Sequence, residues 1–398
     1  MIDISEKSWH KYLLFSSLYF AEGLQAAFAT VIIPIYLLDR GFSLPEATLV
    51  AGIGGAPWYL KFIFGPTIDH FYKLGKKPFI IIGGLLAAFC FFILIFIDPS
   101  IFLIPFTLFL FLSHLGITYM DVSCDGWAIQ ISKENERGKI NGAMNAGLYI
   151  GLAVGTSVIA VIAQLYGYGL SFLVCGGIVL ILTIYPFLVK EAKISEKRPK
   201  IASLLKQEFK KRNTQLVTLI SVFNGLCIGI LLFVIPLYMK IILHMDIGQI
   251  GLMMTIYPIT FIIGSLIGGV LTDRWGRKIV LYIFVSAGII CYPALIFTNL
   301  WIIFAIIYGA CGFVDGTYTA AICALLMDVC NPKIGTTQYS ILASITNFGE
   351  FGTGAISGSL VVILGFGRMF LLSSWISGPL LLVLYFYRTK KSDTLKRI

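Results

Sequence analysis

Twelve times along this chain a mostly apolar stretch of helical length recurs, with short polar breaks between. The stretches fall near residues 11–38, 46–68, 78–97, 101–131, 139–163, 168–189, 214–242, 248–271, 278–297, 300–329, 335–363 and 367–387. A helix of about 20 apolar residues crosses the hydrocarbon core of a bilayer, and in lipid each backbone N–H and C=O must be satisfied within its own segment. The pattern therefore predicts an all-α integral membrane protein, because a β-barrel would need short alternating segments and none is present. Composition agrees: 58% of residues are apolar and 13% charged, too oily for a soluble globule of 398 residues. Ala27-Phe28-Ala29 imitates a signal-peptidase site, but hydrophobicity runs on to Leu38, so an uncleaved first helix is expected.

An even number of spans puts both termini on one side, and the basic residues say which. Of the 30 Lys and Arg, 26 fall in the termini and the even-to-odd loops; only Arg40, Lys240 and Arg368 lie opposite, and Lys61 is within a span. That asymmetry predicts cytoplasmic termini. It also accounts for the net charge of +10 without nucleic acid. Residues 190–213 are the one long polar stretch. They divide the chain into a six-helix half at 1–189, a cytoplasmic linker, and a six-helix half at 214–398. The linker is read as a solvated amphipathic connector, with anionic lipid or a partner as the alternative.

The halves repeat. Gly65-Pro-Thr-Ile-Asp69 with Gly75-Lys-Lys77 ends the second stretch, and Gly269-Val-Leu-Thr-Asp273-Arg274-Trp-Gly276-Arg277-Lys278 ends the eighth, at an offset of 204 for both Gly65/Gly269 and Asp69/Asp273. Duplication of this kind marks transporters built from repeats. Physically, the first glycine would let two helices approach, the second would make the turn, and the Asp would sit at a neighbouring helix N-terminus. Asp69, Asp273, Arg274 and Arg277 are thus candidate gating residues. Gly147, Gly151 and Gly155, and also Gly264 and Gly268, are spaced by four and read as close helix packing.

Ionisable groups within spans are functional candidates by default. His114, Thr118, Asp121 and Asp125 share one face of the fourth span, and Lys61 of the second lies at similar depth; a gating ion network and direct solute contact are both open for this group. Glu22, Asp315 and Glu350 fall near mid-span in spans 1, 10 and 11, accompanied by Tyr19, Gln25, Asn224 and Tyr318. A buried acid without a cation suits a proton carrier; a neutral, hydrogen-bonded packing acid is the plainer alternative. Catalysis is not expected. His10, His70, His114 and His244 lie on separate segments, the eight Cys are scattered singly, and no motif frames a nucleophile or metal, so neither a cofactor nor a metal site is foreseen.

The string GGVLTDRWGRK resembles the loop signature of the major facilitator superfamily; the first half departs from it with three extra residues before Gly75 and His70 in place of Arg. LYFAEGL, APWYLKFIFGPTID, DVSCDGWAI and TTQYSILASITNFG are further similar to the AmpG-type muropeptide permeases and acetyl-coenzyme A transporters. The resemblance implies a monomeric secondary transporter in which helices 1, 4, 7 and 10 line a central cavity; short loops and a chain near the minimum for twelve helices point to a prokaryotic cytoplasmic membrane, with an organelle membrane as the alternative. It implies a small solute, with protons and membrane lipid as the other partners, and gate contacts for Asp69 and Asp273. Proton-coupled import of a muropeptide, peptide or siderophore-like solute is the expectation. Export of a cationic compound and a non-transporting receptor are the alternatives. Glu350 and the single intramembrane cation Lys61 depart from what an anionic solute would need.

Overall fold

A computed structural model describes residues 2–3, 8–131, 137–191, 201–297, 300–331 and 334–387. Residues 192–200 of the linker, the basic loop around Lys133, the basic carboxyl terminus and the Asp69 side chain lie outside the described residues. The spans are numbered α1–α12 here. They comprise α1 (Trp9–Asp39), a broken α2, α3 (Lys77–Leu94), α4 (Leu103–Ala128), α5 (Gly142–Tyr166) and α6 (Tyr168–Leu188). The second set is α7 (Arg212–Ile241), α8 (Ile247–Trp275), α9 (Arg277–Phe297), α10 (Trp301–Val329), α11 (Gly335–Leu364) and α12 (Phe366–Phe386). Among the described residues, ten of these are long and apolar enough to cross a membrane. The other two are α11 and α2, the latter made of Leu44–Gly54, a 3-10 turn Ala56–Trp58 and Lys61–His70. One uninterrupted helix over 46–68 was expected; Pro57 has no N–H to give and its ring crowds the preceding turn, so the helix stops and restarts.

The repeat is visible in how helices begin. Ser43 and Glu46 form a capping box at the start of α2, and Asp246 and Gln249 form the same box at α8, 203 residues later. Lys77 Nζ donates to the carbonyls of Phe187 and Val189 at the end of α6; Lys278 Nζ does so to Tyr385 and Tyr387 at the end of α12. Each ammonium thereby satisfies carbonyls that the helix end leaves open. Gly75 and Gly276 both have positive φ, 81° and 85°, ahead of α3 and α9. The three extra residues of the first half form the 3-10 turn Tyr72–Leu74.

Contacts group the chain into two compact units. Unit 1 holds residues 1–196, 232–258 and 351–363; unit 2 holds 197–231, 259–350 and 364–398. In unit 1, α1 packs on α5 through the predicted glycine stripe: a Cβ at Gly147 or Gly151 would collide with the Ser16 or Phe20 carbonyl oxygen. In unit 2, Gly264 and Gly268 approach the Phe313 and Thr317 carbonyls of α10 in the same way. The first glycine of the loop signature corrects the expectation. A Cβ at Gly65 or at Gly269 would meet nothing within 4 Å, so neither makes a close approach; in α8 that contact belongs to the turn before it.

Candidate functional site

The site in unit 1 is built where α1 and α4 cross. Tyr19 donates its hydroxyl to Asp125 Oδ1, Glu22 lies against Asp121, and Gln25 Nε2 donates to Ser113 Oγ at 3.0 Å. Reading up α1 is reading down α4, so the helices run antiparallel and share a polar seam. Lys61 Nζ enters from α2 and pairs with Asp121 Oδ2 at 2.5 Å. The sequence left Lys61 with a choice between Asp121 and Asp125; the ion pair falls on Asp121. The break in α2 positions it: Trp58 ends the 3-10 turn, Lys61 opens the next helix, and its ammonium stands 4.5 Å from the centre of the Trp58 ring. The indole N–H donates to His114 Nδ1 at 2.9 Å.

Three carboxyl groups thus share one ammonium. Asp121 is 3% exposed, and Glu22, although its residue is partly exposed, has a buried Oε2 without a hydrogen-bond partner. Removing each ion from water costs several kcal/mol even after relaxation, and Lys61 can offset only one negative charge. The seam can therefore reach neutrality by taking up protons or a cation.

The site in unit 2 is polar but differently made. Tyr292 of α9 donates its hydroxyl to Asp315 Oδ1 of α10, whose residue is 1% exposed. Asn224, Cys227, Tyr292, Tyr318 and Ser377 surround a small cavity beside it, and Ser377 Oγ donates to Cys227 Sγ at 3.3 Å. Glu350 of α11 is half-buried and is not among the residues lining that cavity. Asp273 and Arg274 are exposed at the end of α8, while Arg277 pairs with Asp328 at 3.1 Å, joining the start of α9 to the end of α10. The sequence did not single out Trp58 or Tyr292. Both are aromatic residues in apolar runs, and only packing across 56 and 23 positions reveals their partners.

A helical bundle with duplicated capping, a recurring loop signature and acids buried within its spans defines a multi-pass solute transporter. The sequence profile of the Major Facilitator Superfamily matches residues 15–241 and again 217–397, and the chain belongs to that family. It is 23% identical over 387 residues to the anhydromuropeptide permease of Escherichia coli (strain K12), covering 92% of this chain and 77% of that one. A Rickettsia conorii transporter with the name AmpG 4 is 24% identical over 385 residues, covering 89% and 91%. Among solved structures, a D-xylose-proton symporter superposes with a TM-score of 0.79 at 13% identity, over 97% of this chain and 99% of that one. The nucleoside transporter NupG, in a mutant form, gives 0.77 at 14%, over 95% and 100%. These relatives are permeases and transporters, so the chain is a secondary transporter and not an enzyme.

Proposed function

We propose that the chain imports a muropeptide-like solute together with protons across a prokaryotic cytoplasmic membrane, both termini facing the cytoplasm. The observation that carries the coupling is the α1–α4 seam, where Glu22, Asp121 and Asp125 face the single ammonium of Lys61. With all three acids ionised the seam would hold two uncompensated negative charges, which is costly away from water. Glu22 is the first candidate to carry the proton, because Lys61 already answers Asp121 and Tyr19 already donates to Asp125. Asp315, with Tyr292 donating to it, follows, and Glu350 is third. The solute class rests on the name of the Escherichia coli relative, which aligns with 92% of this chain. Asp69, Asp273, Arg274 and Arg277 are proposed to serve the cytoplasmic gate.

The test is proton movement on addition of an anhydromuropeptide to proteoliposomes that trap a pH-sensitive dye and carry no pH gradient. Co-transport predicts a solute-dependent acidification of the lumen. Solute entry with no change in dye signal would contradict proton coupling. A signal given by cationic compounds alone would favour the reading in which a cation neutralises the acids and is exported.

A further inference from the structure

The buried histidine beside the acidic seam has a chemistry that the coupling reading does not use. Its Nδ1 receives the Trp58 indole N–H at 2.9 Å. An indole nitrogen can only donate, so Nδ1 must present its lone pair, and the proton of a neutral imidazole then resides on Nε2. While that bond stands, the ring cannot become imidazolium. His114 is fully buried, and Nε2 has no hydrogen-bond partner. Across the α1–α4 seam, Gln25 gives its amide N–H to Ser113, the neighbour of His114, and its own Oε1 is buried and unpartnered. One buried donor and one buried acceptor are left unmet on facing helices, and each such group costs about 1–3 kcal/mol until something satisfies it.

Resting on the import reading above, we infer that His114 is a solute-recognising hydrogen-bond donor, fixed by Trp58 as its positioning residue, and takes no part in proton transfer. An Nε2–H donor on α4 and the Gln25 Oε1 acceptor on α1 suit an uncharged group that offers an acceptor next to a donor, as a secondary amide does. Of the charged groups on the surrounding helices, Glu22 of α1, Lys61 of α2 and Asp121 and Asp125 of α4 are the described ones that lie in this seam. Their bonds run to one another, to Tyr19 and to the Trp58 ring, and none is an ion pair or hydrogen bond to the imidazole. Recognition through His114 is therefore independent of pH, while coupling through Glu22 is not.

Nitrogen-15 NMR of histidine-labelled protein, with His114 assigned by its loss in His114→Gln, reads the ring directly. The wild-type ring is expected to stay neutral and Nε2-protonated from pH 5 to pH 8. Trp58→Phe keeps the aromatic face under Lys61 but removes the N–H, and mixed tautomers are expected there. An imidazolium at pH 5.5, or an Nδ1–H tautomer in the wild type, overturns the assignment. Binding of an anhydromuropeptide to the purified protein supplies the second readout. His114→Phe should weaken it at least tenfold, His114→Gln, which keeps a donor, no more than threefold, and Trp58→Phe by an intermediate factor. If both His114 variants bind as the wild type does, the unmet atoms are satisfied by a structural water and the inference fails while the import reading stands. If the wild type binds no anhydromuropeptide, the import reading and the recognition role fall together.

Discussion

The two halves of the sequence repeat their scaffolding, yet the polar centres of the two units hold different chemistry. Capping boxes at Ser43 and Asp246, positive-φ glycines at Gly75 and Gly276, and carbonyl-capping lysines at Lys77 and Lys278 recur at offsets of 201 to 203. At an offset of 202, within that narrow range, Glu22 of α1 corresponds to Asn224 of α7, and Gln25 to Cys227. Where unit 1 has an acid against an ion pair, unit 2 has an amide at the rim of a small cavity, with Asp315 hydrogen-bonded to Tyr292. Helix ends and close crossings are constrained by backbone geometry alone and keep their form in both halves. The interior positions are free to diverge, and there one unit acquires an ion-paired seam while the other holds an acid hydrogen-bonded to a tyrosine.

The largest expected effect separates the two centres at Lys61. Lys61→Met leaves Asp121 unpaired inside unit 1 and should cost about 3–5 kcal/mol of stability, the usual consequence of removing one partner of a buried ion pair. Adding Asp121→Asn should recover most of it. Urea or thermal unfolding in detergent checks both; equal stability of Lys61→Met and wild type would mean that the pair is hydrated and the seam is not a dry ion network.

Next in size is the contrast between glycines that face backbone and glycines that face open space. Gly151→Ala and Gly268→Ala drive a methyl group into the carbonyl oxygens of Phe20 and Thr317 and should each destabilise by about 1–3 kcal/mol. Gly269→Ala, with nothing within 4 Å, should leave stability unchanged or slightly raised. A loss at Gly269 as large as that at Gly268 would remove the correction made to the loop signature. Asp273→Asn belongs to the same comparison: folding should be close to wild type, since the residue is exposed, while the transport rate falls. A wild-type rate would end its gating role.

Smallest is a surface effect in the loop between α3 and α4. The Ser100 backbone N–H bonded to Asp98 Oδ1, helped by Arg40, holds the Asp98 carboxyl below its usual range. A folded value below the unfolded one means that its contribution is complete above about pH 4 and is lost as pH falls through the lower folded value. Asp98→Asn should therefore reduce stability slightly at neutral pH and make no difference in strong acid. A difference that persists in acid would assign the effect to packing.

Much of the architecture is legible in the amino-acid sequence. Span positions, the glycine stripes of α5 and α8, and the acids at mid-span follow from hydropathy, four-residue spacing and the cost of charge in lipid. Lys61 was legible as a partner for helix 4, though not which carboxylate it would take. The break in α2 was less so: an apolar run with one proline reads as a span, and the loss of helix at Gly55–Leu60 depends on local backbone geometry. The Trp58–His114 and Tyr292–Asp315 bonds join different helices, so no local pattern announces them. Gly65 and Gly269 were read from their motif as contact positions, yet whether a glycine touches anything depends on which way its helix faces.

The central claim is that the charged seam of unit 1 couples solute to proton, and Glu22→Gln tests it most directly. Glutamine imitates the protonated acid, so anhydromuropeptide exchange between the two sides of a proteoliposome membrane should persist. Accumulation against a gradient under an imposed pH difference should fail, and the same pair of assays on Asn224→Gln should show accumulation retained. Uphill accumulation by Glu22→Gln at the wild-type level would contradict the account and pass the coupling role to Asp315, Glu350 or a cationic solute.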